Sequence, residues 1–584
     1  MISILPTYKD KFRTLGWVQN PSNFRSLCDV VAVFDCNSAK HKELKSKTIL
    51  NLISLEDGRT ELLNTMNIRP LKIKYSHLVG TAFKPRSSAR CNGIIQATVK
   101  GQGDKLFVDD WSADGFIRWA HCFGFIKFDY ETDTFEITEN GLLLTLARTN
   151  GEEINERENE LLINAILAYP PAIRILSLLA PDGTHLTKFE IGKQLGFVGE
   201  DGFTSMPQGL LVKALSDEKN TKKRNDMRTD WEGSADKYAR MIGKWLAKLG
   251  LTEQIAKRIT VTFGNQTYTD TIGQAYTITA QGLIALNRAM GKSKHARIPK
   301  NICFEMLATK GSDREYLRTR RAFIIKYLTE NKVVASADEI RAYLTTQNIT
   351  ETNDVIYDDI QGLLNIGLNI KINTTFQCND AINDFIIPLP QALTKSSLTE
   401  KKDEIRSELT ALSHEYLSLI DLAYDSKQNR LFEMKTIELL TEECKYSGTH
   451  LGGSRKPDGV VYTTELKDNY GVIIDTKAYS IGYPLPISQA DEMERYIREN
   501  QTRDERINPN KWWENFDEDV NEFYFMFVSG HFIGNYGNQL RRLSASTSTN
   551  GSAIAISELL LYADKVKSGV LGLEKVKSEI FQKK

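Results

Sequence analysis

The feature that most limits how this chain can fold is a segment that occurs twice. Trp111 to Asp114, then Arg118 and Trp119, then Phe123 to Phe125, then Phe135 to Leu142 reappear as Ser234 to Asp236, Lys244 and Trp245, Leu249 to Leu251, and Tyr276 to Leu283. In both copies a tryptophan precedes a glycine by five residues, Trp119 before Gly124 and Trp245 before Gly250. Ser112 and Ser234 are expected N-caps, an amphipathic helix follows, each glycine can take the left-handed C-cap, and alternating β-prone residues then predict a hairpin. Helix, glycine, hairpin is the order of a winged helix. In the second copy Tyr238, Ile242, Trp245 and Leu249 recur at helical spacing and mark a packed face, while Lys237, Arg240 and Lys244 line another. Such a basic face is either solvated or a major-groove reader donating to guanine O6 and N7 or to phosphates. A third helical unit is expected between Arg314 and Pro388. Its basic start, Arg318, Arg320 and Arg321, suits DNA contact and packing against a neighbour equally well.

The 584 residues leave room for three to five folded units at roughly 100 to 200 residues each. The longest apolar region, Leu161 to Pro181, is broken by Asn164, Pro170, Pro171 and Arg174, so no span of about 20 apolar residues is expected to cross a bilayer. Only Met1 to Leu5 precede Pro6, Lys9 and Asp10, too short for a signal peptide, and a cytoplasmic protein is the expectation. The seven cysteines are scattered without a C-x-x-C pair, which argues against a disulfide framework and a four-cysteine zinc site. The 75 basic and 75 acidic residues divide unevenly: 50 and 45 up to Pro390, 25 and 30 after it. That asymmetry is a weak nucleic-acid signal by itself. The division is better founded, because residues 386–397 combine two prolines with a polar run and read as an extended interdomain linker.

Chemistry concentrates in residues 448–480. Asp458 follows a proline, sixteen residues intervene, and Asp475, Thr476 and Lys477 then end the β-branched run Val472 to Ile474. Side chains two apart on a strand share a side, so Asp475 and Lys477 are expected together. Asp458 opens the preceding strand and can converge on them if residues 465–470 turn the chain back. Two hard oxygen ligands suit Mg²⁺, which neutralises a scissile phosphate and lowers the pKa of a bound water, with Lys477 orienting that water or stabilising charge on phosphorus. The acid-x-Lys half is common here, at Asp217, Asp425, Glu433 and Glu443 as well, but only Asp475 follows a buried-looking strand. Glu433, on a helix expected over 430–440, is either a further metal or supporting carboxylate or a surface acid. His450 and His531 can assist near phosphate, and neither has a metal-ligand partner at meaningful spacing.

Beyond these motifs, long stretches resemble the FokI family of type IIS restriction endonucleases: Gly16 to Pro21, Ile94 to Thr98, Phe116 to His121, Tyr169 to Ile175, Trp231 to Ile242, His450 to Gly459, Asp475 to Tyr479, Gln489 to Met493 and Phe527 to Phe532. The resemblance runs through nearly the whole chain. It implies a multidomain architecture, mainly α, of winged-helix-like (helix-turn-helix) DNA-recognition subdomains over 1–165, 166–297 and 298–388, a linker over 389–400, and an α/β PD-(D/E)xK nuclease domain over 401–584. It implies Asp458, Asp475 and Lys477 as catalytic residues, the two aspartates as Mg²⁺ ligands, and contacts to double-stranded DNA by Gln19, Asn20, Arg86, Gln102, Trp111, Glu232, Lys237 and Arg240. The matching residue types imply the asymmetric site GGATG. Two departures touch single contacts: the loop from Gly101 to Asp110 is one residue shorter, and Thr229 replaces an asparagine. Read from the residues alone, Trp111 begins a packed helix and residues 19–21 form a turn.

Asp491 and Arg495, four apart on a helix expected over 488–502, read as an exposed ion pair within that helix. The resemblance implies instead that they cross a two-fold interface between cleavage domains in a transient homodimer formed on DNA, joined by the helix expected over 556–566. It also implies a cognate DNA methyltransferase as a functional companion and a bacterial cytoplasmic setting. Two other readings stay open: a DNA-binding regulator with a silent nuclease-like domain, and a repair nuclease specific for DNA structure.

Overall fold

In the computed structural model, which describes residues 2–6, 15–83, 89–149, 151, 153–233, 235–263, 266–292, 297–330, 334–389 and 393–581, the duplicated segment forms two equivalent units. In the first, helix Asp110–Cys122 ends at Gly124 (φ 73°), strands Ile126–Asp129 and Thr134–Ile137 pair antiparallel, and helix Glu139–Ala147 follows. In the second, helix Lys237–Lys248 ends at Gly250 (φ 73°), strands Thr252–Phe263 and Gln266–Ile278 pair, and helix Ala280–Ala289 follows. Thr138 and Thr279 cap the closing helices in the same way, each accepting from a backbone N–H three residues on, at Gly141 and Gly282. Both glycines are required sterically: a Cβ would lie 2.2 Å from the Phe125 carbonyl oxygen and 1.9 Å from that of Leu251.

The helix caps differ from expectation. Asp109, not Ser112, caps the first helix, its Oδ1 accepting from Ser112 N at 2.7 Å. A carboxylate beside the positive helix end is favoured over an internal serine there. Ser234 lies outside the described residues. The two repeat tryptophans, Trp119 and Trp245, are fully buried and stack on each other with ring centroids 4.7 Å apart and planes 13° apart. Phe123 and Tyr169 close around Trp245.

The chain forms two compact units. The first comprises residues 1–197, 237–255 and 274–394, and the second residues 198–236, 256–273 and 395–584. The first unit includes the third set of helices, Arg314–Glu330, Ala337–Thr346 and Asn353–Asn365. Its basic start packs inward. Arg320 donates twice to Asp359 (2.6 and 3.0 Å) and once to Glu351 (2.6 Å), Arg321 Nε donates to Asp359 (2.7 Å), and Arg318 Nε donates to the Ala308 carbonyl (2.7 Å). These guanidiniums are buried and spent on internal acceptors, which removes them from the DNA-contact reading.

The linker reading needs correction on both sides. Residues 386–389 are extended, but within strand Phe385–Leu389, which pairs parallel with Ile2–Pro6, and helix Ser397–Glu408 starts before the proposed linker ends. Pro388 is tolerated because this two-stranded ribbon leaves one side of each strand without a ladder. Residues 390–392 lie outside the described residues.

The second unit is built on a five-stranded mixed sheet in the order Ser447–His450, Gly459–Tyr462, Tyr470–Lys477, Glu522–Ser529, Gly551–Ala555. The first three strands are antiparallel, and the last three are parallel. Helices Ile487–Thr502 and Tyr536–Thr547 make the crossovers that parallel pairing needs. The central strand is buried along its length except at Lys477, as its unbroken β-branched run predicts. The second unit also includes residues 198–236 and 256–273, where Lys402 Nζ donates to the Gly199 carbonyl (2.7 Å) and Arg430 lies 4.2 Å over the Trp231 ring. Among the described residues no single helix is long and apolar enough to cross a membrane.

Candidate catalytic and nucleic-acid sites

The antiparallel register pairs Gly459 with Ile474, so the next position sets Asp458 opposite Asp475 at the end of the sheet. Asp458 is fixed there: Thr476 donates to its Oδ2 through both N (2.7 Å) and Oγ1 (3.1 Å), while its carbonyl accepts from Leu451 N (2.8 Å). Lys477 Nζ donates to Asp475 Oδ1 at 2.7 Å, as the two-residue strand period requires. The structure therefore brings Asp458, Asp475 and Lys477 together. The sequence reading passed over Thr476, the residue that anchors Asp458, because an intervening residue on a strand points to the opposite side and only the neighbouring strand gives it a partner.

The site carries excess negative charge. Burial, with Asp475 and Glu433 adding to it, holds the Asp458 carboxyl well above the usual carboxylate range, and burial raises Asp475 as well although Lys477 pulls the other way. Burial works against the Lys477 ammonium, but Asp475 and then Asp458 prevail and its pKa is raised. Glu433 lies on helix Asn429–Glu438 and is bonded to His450 Nε2 at 3.1 Å, so it is part of the site's electrostatics and not a detached surface acid. His450 is buried, with Trp231 at 6.2 Å across its ring. His531 shares a hydrogen bond with the Tyr424 hydroxyl (3.1 Å) and pairs through its backbone with Tyr483.

Among the described residues no cluster of three or more His, Cys, Asp or Glu side chains is spaced to hold a metal. Two carboxylates still fit Mg²⁺, which keeps several waters and is commonly held by one or two carboxylates. A bound cation would offset the burial that raises both acids, and Asp458 keeps one oxygen outside the Thr476 bonds.

Of the residues expected on DNA, Trp111 stands in the first turn of the packed helix Asp110–Cys122, as its local reading suggested, with its own side chain 65% exposed. Asn20, Gln102 and Lys237 are exposed, and Gln19 and Arg240 are partly so. Residues 19–21 run as an open loop instead of a turn, against helix Lys237–Lys248: Gln19 Nε2 reaches Tyr238 Oη (3.3 Å) and Trp245 Nε1 donates to the Pro21 carbonyl (2.9 Å). The loop of the first repeat's unit and the helix of the second are thereby neighbours. Glu232 is buried, 3.4 Å from Arg228, which also pairs with Asp270, and it belongs to the second compact unit. Arg86 lies outside the described residues.

Asp491 and Arg495 do not pair with each other, contrary to the intrahelical expectation. Asp491 accepts from Arg542 on helix Tyr536–Thr547 (2.5 Å), and Arg495 pairs with Glu492 (3.1 Å) and Glu499 (3.8 Å). Neighbouring acids at shorter reach win Arg495, and the adjacent helix supplies Asp491 with a cation.

Sequence profiles of the FokI family match almost end to end: recognition domain subdomain 1 over residues 13–147, recognition domain subdomain 2 over 158–294, the D3 domain over 307–375 and the cleavage domain over 395–584. The chain is 48% identical over 573 residues to the type II restriction enzyme FokI of Planomicrobium okeanokoites, covering 97% of this chain and 98% of that protein. It is 33% identical to the type II restriction enzyme StsI of Streptococcus sanguinis, covering 96% and 93%. Solved structures of FokI superpose with a TM-score of 0.90 (47% identity, 97% of this chain and 99% of that one) and, for FokI bound to DNA, 0.91 (47%, 98% and 99%). With helical recognition subdomains, an α/β cleavage domain and this likeness over its full length, the chain belongs to the FokI family of type II restriction endonucleases.

Proposed function

We propose that this enzyme binds a short asymmetric duplex site, GGATG, through its recognition subdomains and makes a Mg²⁺-dependent double-strand break at a fixed distance outside it. The observation that carries the reading is the convergence of Asp458, Asp475 and Lys477 at one strand end, with Asp458 fixed by Thr476. The relative solved with DNA supports duplex DNA as the partner. Gln19, Asn20, Gln102, Trp111, Lys237 and Arg240 are the proposed contacts, with Arg86 and Glu232 carried by the family resemblance. For Glu232 the contact requires release from Arg228.

Asp458 and Asp475 would hold the metal, which supplies charge neutralisation at phosphorus and acidifies water when bound. The chain's own contribution is orientation. Thr476 fixes one Asp458 oxygen, and Lys477, kept protonated by Asp475, donates a hydrogen bond to a phosphate oxygen or to the attacking water. One such centre serves one strand, so a double-strand cut calls for a transient homodimer, for which Asp491 and Arg495 are the proposed interface charges. The domain limits proposed above, a companion methyltransferase and a bacterial cytoplasmic setting complete the reading.

Incubating plasmid with enzyme and Mg²⁺ and sequencing the ends tests it. Cuts at one offset from GGATG are expected. Intact but mobility-shifted DNA would favour a regulator, and ends without a common upstream site would favour a structure-specific nuclease.

A further inference from the structure

Helix Lys237–Lys248 has two occupied faces. Lys237, Arg240 and Lys244, spaced i, i+3, i+7, lie on the outward side. Tyr238, Trp245 and Lys248, spaced i, i+7, i+10, all meet one loop of the other repeat's unit. Gln19 Nε2 bonds Tyr238 Oη at 3.3 Å, the Trp245 indole N–H donates to the Pro21 carbonyl at 2.9 Å, and Lys248 Nζ donates to the Ser22 carbonyl. The Tyr238 ring packs on Trp17 with centroids 4.6 Å apart, and Trp17 Nε1 is tied to the Met306 carbonyl at 3.1 Å. The loop is therefore pinned on either side of Gln19, and Gln19 itself is pinned by a single hydroxyl.

That hydroxyl decides what Gln19 can present. A glutamine amide has two N–H donors and one carbonyl acceptor. With its amide held by Tyr238, the side chain is confined to one rotamer, and one N–H and the carbonyl remain available to a partner. This is the donor and acceptor pair that addresses N7 and N6 of adenine in the major groove. Without the Tyr238 hydroxyl, the same side chain samples its other rotamers, and loses discrimination without losing charge or area.

We propose that Tyr238 is a specificity-determining positioning residue, and that helix Lys237–Lys248 acts both as a reader on its basic face and as a clamp that sets the Gln19 amide of the neighbouring subdomain. The proposal rests on the reading of Gln19 as a base contact. It makes the two recognition elements one coupled device instead of two independent ones.

The test uses the full-length enzyme in EDTA, so that binding is read without cleavage, and fluorescence anisotropy on five sets of duplexes: GGATG with each base pair replaced in turn. A duplex carrying 7-deazaadenine at the adenine removes the N7 acceptor alone. Q19A is expected to lose discrimination at one A·T pair. Y238F, which keeps the ring and the Trp17 contact, is expected to lose about three- to tenfold at the same pair, the range for one neutral hydrogen bond. Its affinity for random duplex and its melting temperature should match wild type, and Q19A/Y238F should be no worse than Q19A. Wild-type discrimination by Y238F at all five positions, or losses that add in the double variant, would overturn the clamp while leaving Gln19 a reader. Full discrimination by Q19A would remove Gln19 as a reader and the proposal with it.

Discussion

Replacing Asp458 by asparagine separates what the site needs for folding from what it needs for cleavage. The amide oxygen can still accept both bonds from Thr476, so the strand end keeps its anchor. Lys477 keeps Asp475 at 2.7 Å, so no cation is orphaned. What disappears is a buried carboxyl whose charged form is disfavoured by burial first and by Asp475 and Glu433 after it. Relieving that penalty is worth about 1 to 3 kcal/mol, so Asp458→Asn should stabilise the metal-free protein at neutral pH. For a domain of this size each kcal/mol moves the melting temperature by roughly 2 to 4 °C. The sign with pH follows from the raised pKa. A carboxyl held higher in the folded state than in the unfolded chain contributes stability below the ordinary carboxylate range, and that contribution is lost as pH rises through the folded value. Wild type and variant should therefore melt together in acid and diverge towards neutrality, the variant higher. Calorimetry in EDTA across this range measures the gap. Adding Mg²⁺ should raise wild type and narrow the gap, because only wild type gains binding free energy. DNA binding should be unchanged and cleavage lost. A variant that melts lower than wild type at neutral pH in EDTA, or a gap that does not close on acidification, would refute the electrostatic reading.

Asp475→Ala should abolish cleavage on plasmid while leaving the mobility shift on GGATG duplex intact, and loss of binding would contradict the separation of reader and cutter. Asp491→Arg places like charge against Arg542 and should let nicked circles accumulate at the expense of linear product. Its melting temperature should barely move, since exposed pairs contribute about 0 to 1 kcal/mol, and double-strand rates linear in wild-type enzyme at low concentration would argue against pairing. Trp119→Ala removes one half of the buried indole stack and should cost about 3 to 5 kcal/mol, read as a lower denaturation midpoint with weakened site binding.

Much of the recognition architecture was readable because local physics repeats. Gly124 and Gly250 end their helices in the left-handed region, and the alternating residues after them become hairpins, since both outcomes depend on backbone sterics within a few residues. The same holds for Asp475 and Lys477, whose shared side is a property of strand geometry alone. Readings that needed a partner's identity fared differently. The basic run Arg318 to Arg321 was equally compatible with DNA and with packing, and Asp359 and Glu351, 31 to 39 residues along the chain, claim Arg320 and Arg321. Ser112 lost its cap to Asp109, and the pairing of Asp491 with Arg495 lost to Arg542 and Glu492, because several candidates of equal sequence merit lay within reach.

The periodic elements, the duplicated helix and hairpin, and the strand that ends in the acid and the lysine are written into the local order of residues, because they follow from interactions within a few positions. That Thr476 anchors Asp458, that Trp119 meets Trp245, and that Tyr238 reaches Gln19 emerges once the chain is folded. Each of these is a choice of partner across chain separations from 18 to 219 residues. No local preference encodes such a choice, and it is settled only when burial forces every polar group to find a mate.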